Sequence, residues 1–164
     1  MIQIKKILFP TSFSERSRQS LAYSLHLANK YKAELHMLHA LVLWEDDPHN
    51  PAYHFPDKEE LQTRLKDAAA NQMTSDLEKS EVKDIVIKQV YERGMTPSET
   101  IIRYAGKNDI DLIVMDTHHK RGMRLLFGSA VEEVVREAPS SVLAIYHKKG
   151  KEPKFALYSS QNIL

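Results

Sequence analysis

The sequence predicts an α/β domain in which helices cover both faces of an open parallel sheet. Three observations indicate this fold: short apolar runs alternate with helical segments, helix-start signals follow several of the runs, and one run is almost continuously apolar. Alternation of this kind specifies a parallel sheet, because right-handed crossovers return each strand in the same direction. A strand that is covered on both faces is expected to be apolar along its length.

The start of the chain predicts a β–α–β unit. Ile4 to Phe9 is a short β-type run, and Pro10 ends it because proline has no N–H for a ladder bond. Ser14 is the predicted N-cap of the helix that follows. Ala33 to Leu43 is apolar apart from Glu34 and two histidines, which predicts a strand covered on both faces.

A proline-rich stretch separates this unit from the second helix. Trp44 to Pro56 has no periodicity and contains three prolines, so it is predicted to be a surface loop. Asp57, with Glu60 three residues later, is a capping-box signature that opens the helix.

The second half of the chain continues the alternation. Asp84 to Tyr91 mixes apolar and polar positions, which predicts an edge strand. The run Thr96–Glu99 combines a capping Thr, a Pro at the first helical position and a Glu at the third, and the helix is predicted to end near Lys107. Leu112 to Met115 and Val142 to Tyr146 are the predicted fourth and fifth strands.

Composition limits the partners and the compartment. Residues 1–148 are predicted to form one domain, and residues 149–164 a C-terminal tail outside the core. A formal net charge of +1 supplies no basic field for nucleic acid, and the chain has no cysteine. No apolar run approaches the roughly 18 residues of a membrane helix, and the N-terminus has no cleavable signal pattern. A cytoplasmic protein without nucleic-acid or membrane partners is the prediction.

Ligands of an open parallel sheet bind beyond the carboxyl ends of the strands, where the strand order reverses. In this chain the corresponding segments include Pro10–Ser14, Ala40–Trp44, Gly94–Pro97 and Asp116–Gly128. The sequence contains no Walker A motif, no glycine-rich dinucleotide fingerprint and no G-x-S-x-G elbow. P-loop, dinucleotide and serine-hydrolase chemistry are therefore excluded.

The histidines do not predict a metal site. His36 and His39 lie three apart in a predicted strand, so their side chains are expected on opposite faces. His118 and His119 are adjacent, and the same objection applies to them. We predict no metal ligand in the chain.

Gly128 and Ser129 open the helix that precedes the last strand, and they allow two interpretations. In the first, Gly128 permits close approach of the backbone, and the Ser129 hydroxyl and the first helical N–H groups bind phosphate. In the second, Ser129 caps its own helix and Glu132 completes a capping box. The same atoms serve both interpretations, so the sequence leaves both open.

From about Lys5 to Lys148 the chain resembles the universal stress protein family. The matching segments are KKILFPTSFSE, AELHMLHA, GMTPSETIIRYA, DIDLIVMDTHH and FGSAVEEVVREAPSSVLAI. The resemblance implies a fold like that of the adenine nucleotide α-hydrolases, with five parallel strands in the order 3-2-1-4-5. It also implies an adenine nucleotide ligand (ATP or AMP), Mg²⁺ only in association with the nucleotide, and a homodimer through Val142–Tyr146.

The chain departs from the motif G-x-x-G, nine residues, G-[ST], which family members that bind ATP share. Asp116 and His119 stand at the two glycine positions. Eight residues, where the motif has nine, separate His119 from Gly128–Ser129, so the loop is one residue shorter. Ser12 stands where the family has an adenosine-contacting Asp. A carboxylate at the first position disfavours a polyphosphate, so we expect a monophosphate to be tolerated better than ATP. Three cations of the same loop oppose this effect, because they attract phosphate: Lys120, Arg121 and Arg124.

The resemblance carries a set of predicted nucleotide contacts onto this chain. They are Pro10, Thr11, Ser12, Ala40, Met115, Asp116, His119, Gly128, Ser129 and Ala130. Three functions stay open: a universal stress protein that binds ATP, ADP or AMP weakly or with altered preference, a dimeric interaction protein of the same family without a nucleotide, and a weak ATPase. No general base is placed, so no catalytic residue is predicted.

Overall fold

Parallel strands form the centre of the protein, and helices lie on both faces of the sheet. The computed structural model describes residues 3–42, 58–80, 84–117, 129–146 and 154–158. The strands are β1 (Lys6–Pro10), β2 (Glu34–Val42), β3 (Ile87–Gly94), β4 (Leu112–Thr117), β5 (Ser141–Tyr146) and β6 (Lys154–Tyr158). The helices are α1 (Glu15–Tyr31), α2 (Lys58–Glu78), α3 (Pro97–Lys107) and α4 (Ser129–Glu137). Within these ranges no helix combines the length and the apolarity that crossing a membrane requires.

The order of the strands is β3-β2-β1-β4-β5-β6. The first five strands in sequence are parallel, so the predicted order 3-2-1-4-5 is confirmed. The sequence did not predict β6, which pairs antiparallel with β5. Residues 154–158 belong to the tail that was expected outside the core, and they join the sheet instead.

The predicted caps of two helices are confirmed. Ser14 has an extended backbone, and its Oγ accepts a hydrogen bond from the Ser17 N–H at 3.2 Å. Thr96 caps α3 in the same way, because its Oγ1 accepts from the Glu99 N–H at 3.1 Å and Pro97 occupies the first helical position. The predicted cap of α2, Asp57, lies outside the described residues.

The fourth strand is longer than predicted. The sequence places its end at Met115, because the polar residue Asp116 follows. In the structure β4 continues to Thr117, and Asp116 and Thr117 are in register with Ile145 and Tyr146 of β5. Pairing with the neighbouring strand therefore extends β4 past the change in polarity, and Asp116 is a strand residue rather than a loop residue.

The third strand begins later than predicted. Asp84 was expected to open it, but its backbone has a φ of 70°, in the left-handed region that a strand cannot contain. β3 starts at Ile87 and lies at one edge of the sheet, so the prediction of an edge strand is confirmed.

Alternate residues of β4 pack on opposite faces of the sheet. Leu112 and Val114 belong to the core cluster that contains residues of α1, whereas Ile113 and Met115 belong to the cluster that contains residues of α3 and α4. Because side chains alternate along a strand, Asp116 follows Val114 onto the α1 face. The end of β4 thus presents a carboxylate towards the first turn of α1.

A buried histidine of β2 contacts a tyrosine of α3. The Nδ1 atom of His36 lies 2.8 Å from the Tyr104 hydroxyl, and its Nε2 atom lies 3.4 Å from Glu34 Oε1 without hydrogen-bond geometry. Burial lowers the pKa of His36 from 6.5 and outweighs the opposing effect of Glu34, while Lys88 and Lys6 act in the same direction as burial. Burial also raises the pKa of Tyr104 to about 12, so the phenol stays protonated and can donate to a neutral imidazole.

The buried neutral histidine makes stability depend on pH. We expect the free energy of unfolding to fall below about pH 6.5, because the unfolded chain binds a proton at His36 that the folded chain does not. The stability advantage of the wild type over His36→Gln should therefore shrink between about pH 7 and pH 5, by at most about 1.4 kcal/mol per pH unit. Denaturant titrations measure it, with the exposed His26→Gln as the matched control. An advantage that stays constant over this range would contradict the assignment.

Candidate functional site

The strands on either side of the switch point separate at their carboxyl ends. Pairing between β1 and β4 ends at Leu8 and Ile113, whereas pairing between β1 and β2 continues to Pro10 and Leu38. The Thr11 N–H then extends the β1–β2 ladder by donating to the Leu38 carbonyl at 2.8 Å. A crevice therefore opens between β1 and β4, where the strand order reverses and where open α/β sheets bind ligands.

Hydroxyl groups fix the loop between β1 and α1. Ser17 Oγ donates to Thr11 Oγ1 at 3.1 Å, and Thr11 Oγ1 also accepts from the Phe13 N–H at 3.1 Å. The Ser12 N–H donates to Ser17 Oγ at 3.3 Å, and Ser12 Oγ donates to Ser14 Oγ at 3.0 Å. Thr11 and Ser17 are buried, whereas Ser12 and Ser14 are exposed. The buried pair thus holds the exposed pair at the mouth of the crevice.

An aromatic contact supports the same loop from β2. Phe13 has a φ of 61°, a left-handed conformation that is uncommon for a bulky residue. Its ring lies 4.5 Å from the ring of His39, and His39 Nδ1 lies 2.9 Å from the Thr11 carbonyl oxygen. Because a carbonyl only accepts, Nδ1 carries the proton of His39 in this contact. The second strand therefore helps to hold the strained turn.

A pocket of about 460 Å³ lies at the mouth of this crevice, and it is lined by Ser12, Ser14, Glu15, Arg16 and Asp116. Its volume falls within the range of roughly 300–1,000 Å³ that small-molecule sites occupy. Asp116 reaches it from the end of β4, and the other residues come from the loop after β1 and the first turn of α1.

The lining offers two kinds of recognition. Arg16 is an exposed cation in the first turn of α1, where free N–H groups and the helix dipole favour an anion. Glu15 and Asp116 are carboxylates, which accept hydrogen bonds from hydroxyl groups. The combination suits a ligand that carries one anionic group and hydroxyl donors at a short distance from it.

Two of the predicted contact residues meet in this pocket. Ser12 and Asp116 both line it. Pro10 and Thr11 lie just before it, at the carboxyl end of β1, and Thr11 acts through the buried hydroxyl pair. They support the pocket without being among its lining residues.

The other predicted contacts are not brought to the described pocket. Met115 is buried among residues of α3 and α4, on the opposite face from Asp116, so its predicted contact is not supported by strand geometry. Ala40 is half-buried in β2, opposite Glu92. Ala130 is half-buried in the first turn of α4. His119, Gly128 and the side chain of Ser129 lie outside the described residues.

Three lining residues were not among the predicted contacts: Ser14, Glu15 and Arg16. A signal for them was present in the sequence. Ser14 was predicted to cap α1, which places the first turn of that helix directly after the end of β1. Because β1 lies at the switch point, this turn had to border the crevice.

The described residues contain no group of three or more His, Asp or Glu side chains arranged to hold a metal ion. His36 and His39 lie on opposite faces of β2, as predicted, since one contacts Tyr104 of α3 and the other contacts Phe13 before α1. Mg²⁺ associated with a nucleotide stays a prediction.

Comparison with known sequences identifies related proteins. The model of the universal stress protein family matches residues 3–145. The chain is 26% identical over 161 residues to the universal stress protein MJ0577 of Methanocaldococcus jannaschii, covering 90% of this chain and 98% of that protein. It is 27% identical over 154 residues to MJ0531 of the same organism, covering 92% of this chain and 84% of that protein.

Solved structures share the fold. The structure of MJ0577 has a TM-score of 0.67 at 27% identity, covering 91% of this chain and all of that chain. A universal stress protein in complex with cAMP has a TM-score of 0.64, and one from Archaeoglobus fulgidus in complex with dAMP has a TM-score of 0.58. Each of these two structures is 16% identical to this chain, and each alignment covers 88% of this chain and 98% of the other. At this level of identity the similarity shows the fold alone.

Proposed function

This chain belongs to the universal stress protein family, and from that membership we propose that it binds an adenine nucleoside monophosphate in the pocket between β1 and β4. The observation that carries the proposal is the lining of that pocket, in which Ser12, Arg16 and Asp116 converge at the switch point. Two proteins of the same fold are described as complexes with cAMP and dAMP, and both ligands are adenine nucleoside monophosphates.

The phosphate is assigned to the first turn of α1. Arg16 supplies a cation there, and the helix N-terminus supplies backbone donors that favour a negative charge. The Ser14 hydroxyl already accepts from the Ser17 N–H, so its remaining role is to donate to a phosphate oxygen. The Arg16 cation, the backbone donors and the Ser14 hydroxyl thus lie on one side of the pocket, together with the Glu15 carboxylate.

The ribose is assigned to the strand ends. Ser12 can form one hydrogen bond to a sugar hydroxyl but cannot bind two hydroxyls as a carboxylate does. Asp116 reaches the same pocket from the neighbouring strand. In this proposal Asp116 supplies, from β4, the carboxylate that the chain lacks after β1.

Charge limits the length of the phosphate chain. Among the described residues, the pocket lining includes two carboxylates and one guanidinium, from Glu15, Asp116 and Arg16. At about 4 Å and an effective dielectric constant of about 20, each further negative charge beside a carboxylate is opposed by roughly 4 kcal/mol. A monophosphate with its single anionic group is therefore preferred to ATP.

Removal of the Asp116 charge tests this preference. We expect Asp116→Asn to reduce the ratio of AMP affinity to ATP affinity by about tenfold or more, which corresponds to about 1.4 kcal/mol of differential binding. Asp109→Asn is the matched control, because the same charge is removed near the other end of β4 and asparagine tolerates the left-handed backbone at this position, where φ is 52°. Calorimetric titration of each variant with both nucleotides measures the ratio.

The outcomes distinguish two of the functions that the family resemblance leaves open, namely nucleotide binding and protein interaction without a nucleotide. An unchanged ratio in Asp116→Asn, with nucleotide binding intact, would place the phosphates elsewhere. Absence of heat and of thermal stabilisation with AMP, ADP and ATP would reject the proposal and favour the interaction protein without a nucleotide.

A further inference from the structure

The two outermost parallel strands of the sheet differ in how well they tolerate an open edge. β3 carries Lys88, Glu92 and Arg93, and charged side chains protect an edge strand against pairing with other chains. β5 reads SVLAIY, contains no charged residue, and has four consecutive buried positions from Val142 to Ile145. An uncharged, apolar strand of this kind at an open edge would invite association.

β6 covers this unprotected edge. It pairs antiparallel with β5 over five residue pairs, from Val142 opposite Tyr158 to Tyr146 opposite Lys154. Leu157 is in register with Leu143, and Phe155 is in register with Ile145. The seven residues 147–153 connect the two strands, so β6 belongs to the same chain and returns directly beside β5.

We infer that β6 is an intramolecular cap, and that it prevents the β5 edge from pairing with a second copy of this chain. Release of β6 exposes the apolar edge and permits a dimer. The homodimer expected through Val142–Tyr146 is then an alternative to the capped chain, because both use the same backbone groups of β5. This inference does not depend on nucleotide binding.

The geometry of the β5 edge favours β5 of a second copy as its partner when β6 is released. The edge accepts an antiparallel strand, since β6 pairs with it in that direction. A second β5 laid antiparallel to the first is related to it by a twofold axis, which gives a closed, self-complementary interface. In this dimer the β5 strands of the two copies pair with each other, so neither β5 edge stays open.

The connection between the strands favours the capped state. A connection of only seven residues gives β6 an effective concentration of about the millimolar range, whereas a second copy competes at micromolar concentration. The full chain is therefore monomeric at micromolar concentration while β6 can pair. The cap itself is a poor template for a partner, because it is only five residues long and begins with a lysine.

An engineered disulfide tests the cap in the full-length chain. Ala144 and Ala156 are directly opposite each other in the register, and the natural chain has no cysteine that could form a competing disulfide. We expect Ala144→Cys with Ala156→Cys to form an intrachain disulfide under oxidation and to keep the monomer mass. Ala144→Cys with Tyr158→Cys is the matched control, since a diagonal pair roughly 7–8 Å apart is too distant to bridge.

Proline substitutions in β6 provide the second test. Alternate strand residues donate to the neighbour, so of Ala156→Pro and Leu157→Pro at least one removes a ladder bond to β5. We expect that variant to double its mass by light scattering at a micromolar concentration at which the wild type is monomeric.

Several results would overturn the inference. One is a disulfide between chains, or none at all, in the opposed cysteine pair. Another is a dimer that persists when the intrachain disulfide has formed. A third is a pair of proline variants that are folded by circular dichroism and remain monomeric. If the proline variants do not fold, the position of the disulfide decides the matter alone.

Discussion

Replacing Gly94 with alanine is expected to destabilise the protein by about 2–3 kcal/mol, because the new methyl group overlaps a buried side chain. A Cβ at Gly94 would lie 2.0 Å from Thr100 Oγ1 and 3.2 Å from Thr100 Cβ. Thr100 is completely buried, and its hydroxyl donates to the Thr96 carbonyl at 2.8 Å. The threonine can move only by giving up this bond at the start of α3. Denaturant unfolding measures the loss.

Gly106→Ala is the matched control for this substitution. Among the described residues, a Cβ at Gly106 would meet only Pro139 Cγ, at 3.7 Å, which is an ordinary contact. Because Gly106 lies near the end of α3, alanine there is expected to be neutral or to stabilise by up to about 1 kcal/mol. Thr100→Ala should partly rescue Gly94→Ala, since it removes the overlapping hydroxyl. Equal effects of the two glycine substitutions would contradict the contact.

Replacing Arg18 with alanine is expected to cost about 2–3 kcal/mol, because it leaves a buried carboxylate without its cation. Arg18 Nε on α1 lies 3.0 Å from Asp76 Oδ1 on α2, and Gln72 Nε2 donates to the same oxygen at 2.9 Å. Asp76 is 5% exposed, and its Oδ2 has no partner among the described residues. The Arg18 side chain is 44% exposed, so water replaces part of the lost contact and holds the cost below that of a fully buried pair.

An exposed ion pair supplies the comparison. Arg64→Ala removes the partner of Glu60 one turn away on α2, where the two side chains are 64% and 49% exposed. Pairs of this type contribute about 0.3–0.5 kcal/mol. Asp76→Asn should cost less than Arg18→Ala, because it leaves no unpaired buried charge. A loss in Arg18→Ala no larger than that in Arg64→Ala would show that Asp76 does not need its cation.

Local chemistry made most of the fold predictable. The starts of α1 and α3 follow from Ser14 and Thr96, because a cap acts within one turn of the chain. The end of β4 was missed because Asp116 is held in the strand by its neighbour Ile145, which sequence patterning does not reveal. β6 was missed for a related reason. Five residues are too few to show a period, and the strand exists beside an edge that only the folded chain creates.

The candidate site was predictable in part. Ser12 and Asp116 were placed by resemblance, and the structure brings both to one pocket. Met115 was expected beside them, although strand alternation alone places it on the other face. Arg16 has no periodicity of its own to distinguish it, because it is an exposed residue in a first helical turn. Its position beside the crevice follows only when the predicted Ser14 cap is combined with the switch point at the end of β1.

Calorimetric titration of the wild-type chain with AMP, beside Arg16→Glu, tests the central claim most directly. Saturable heat is expected for the wild type at sub-millimolar protein, and loss of that heat is expected for Arg16→Glu, because the substitution places a third carboxylate in the pocket. Arg16 is exposed, so the variant should keep the wild-type unfolding free energy to within about 0.5 kcal/mol. Absence of heat in the wild type, or equal AMP binding by a folded Arg16→Glu variant, would contradict the assignment of this pocket.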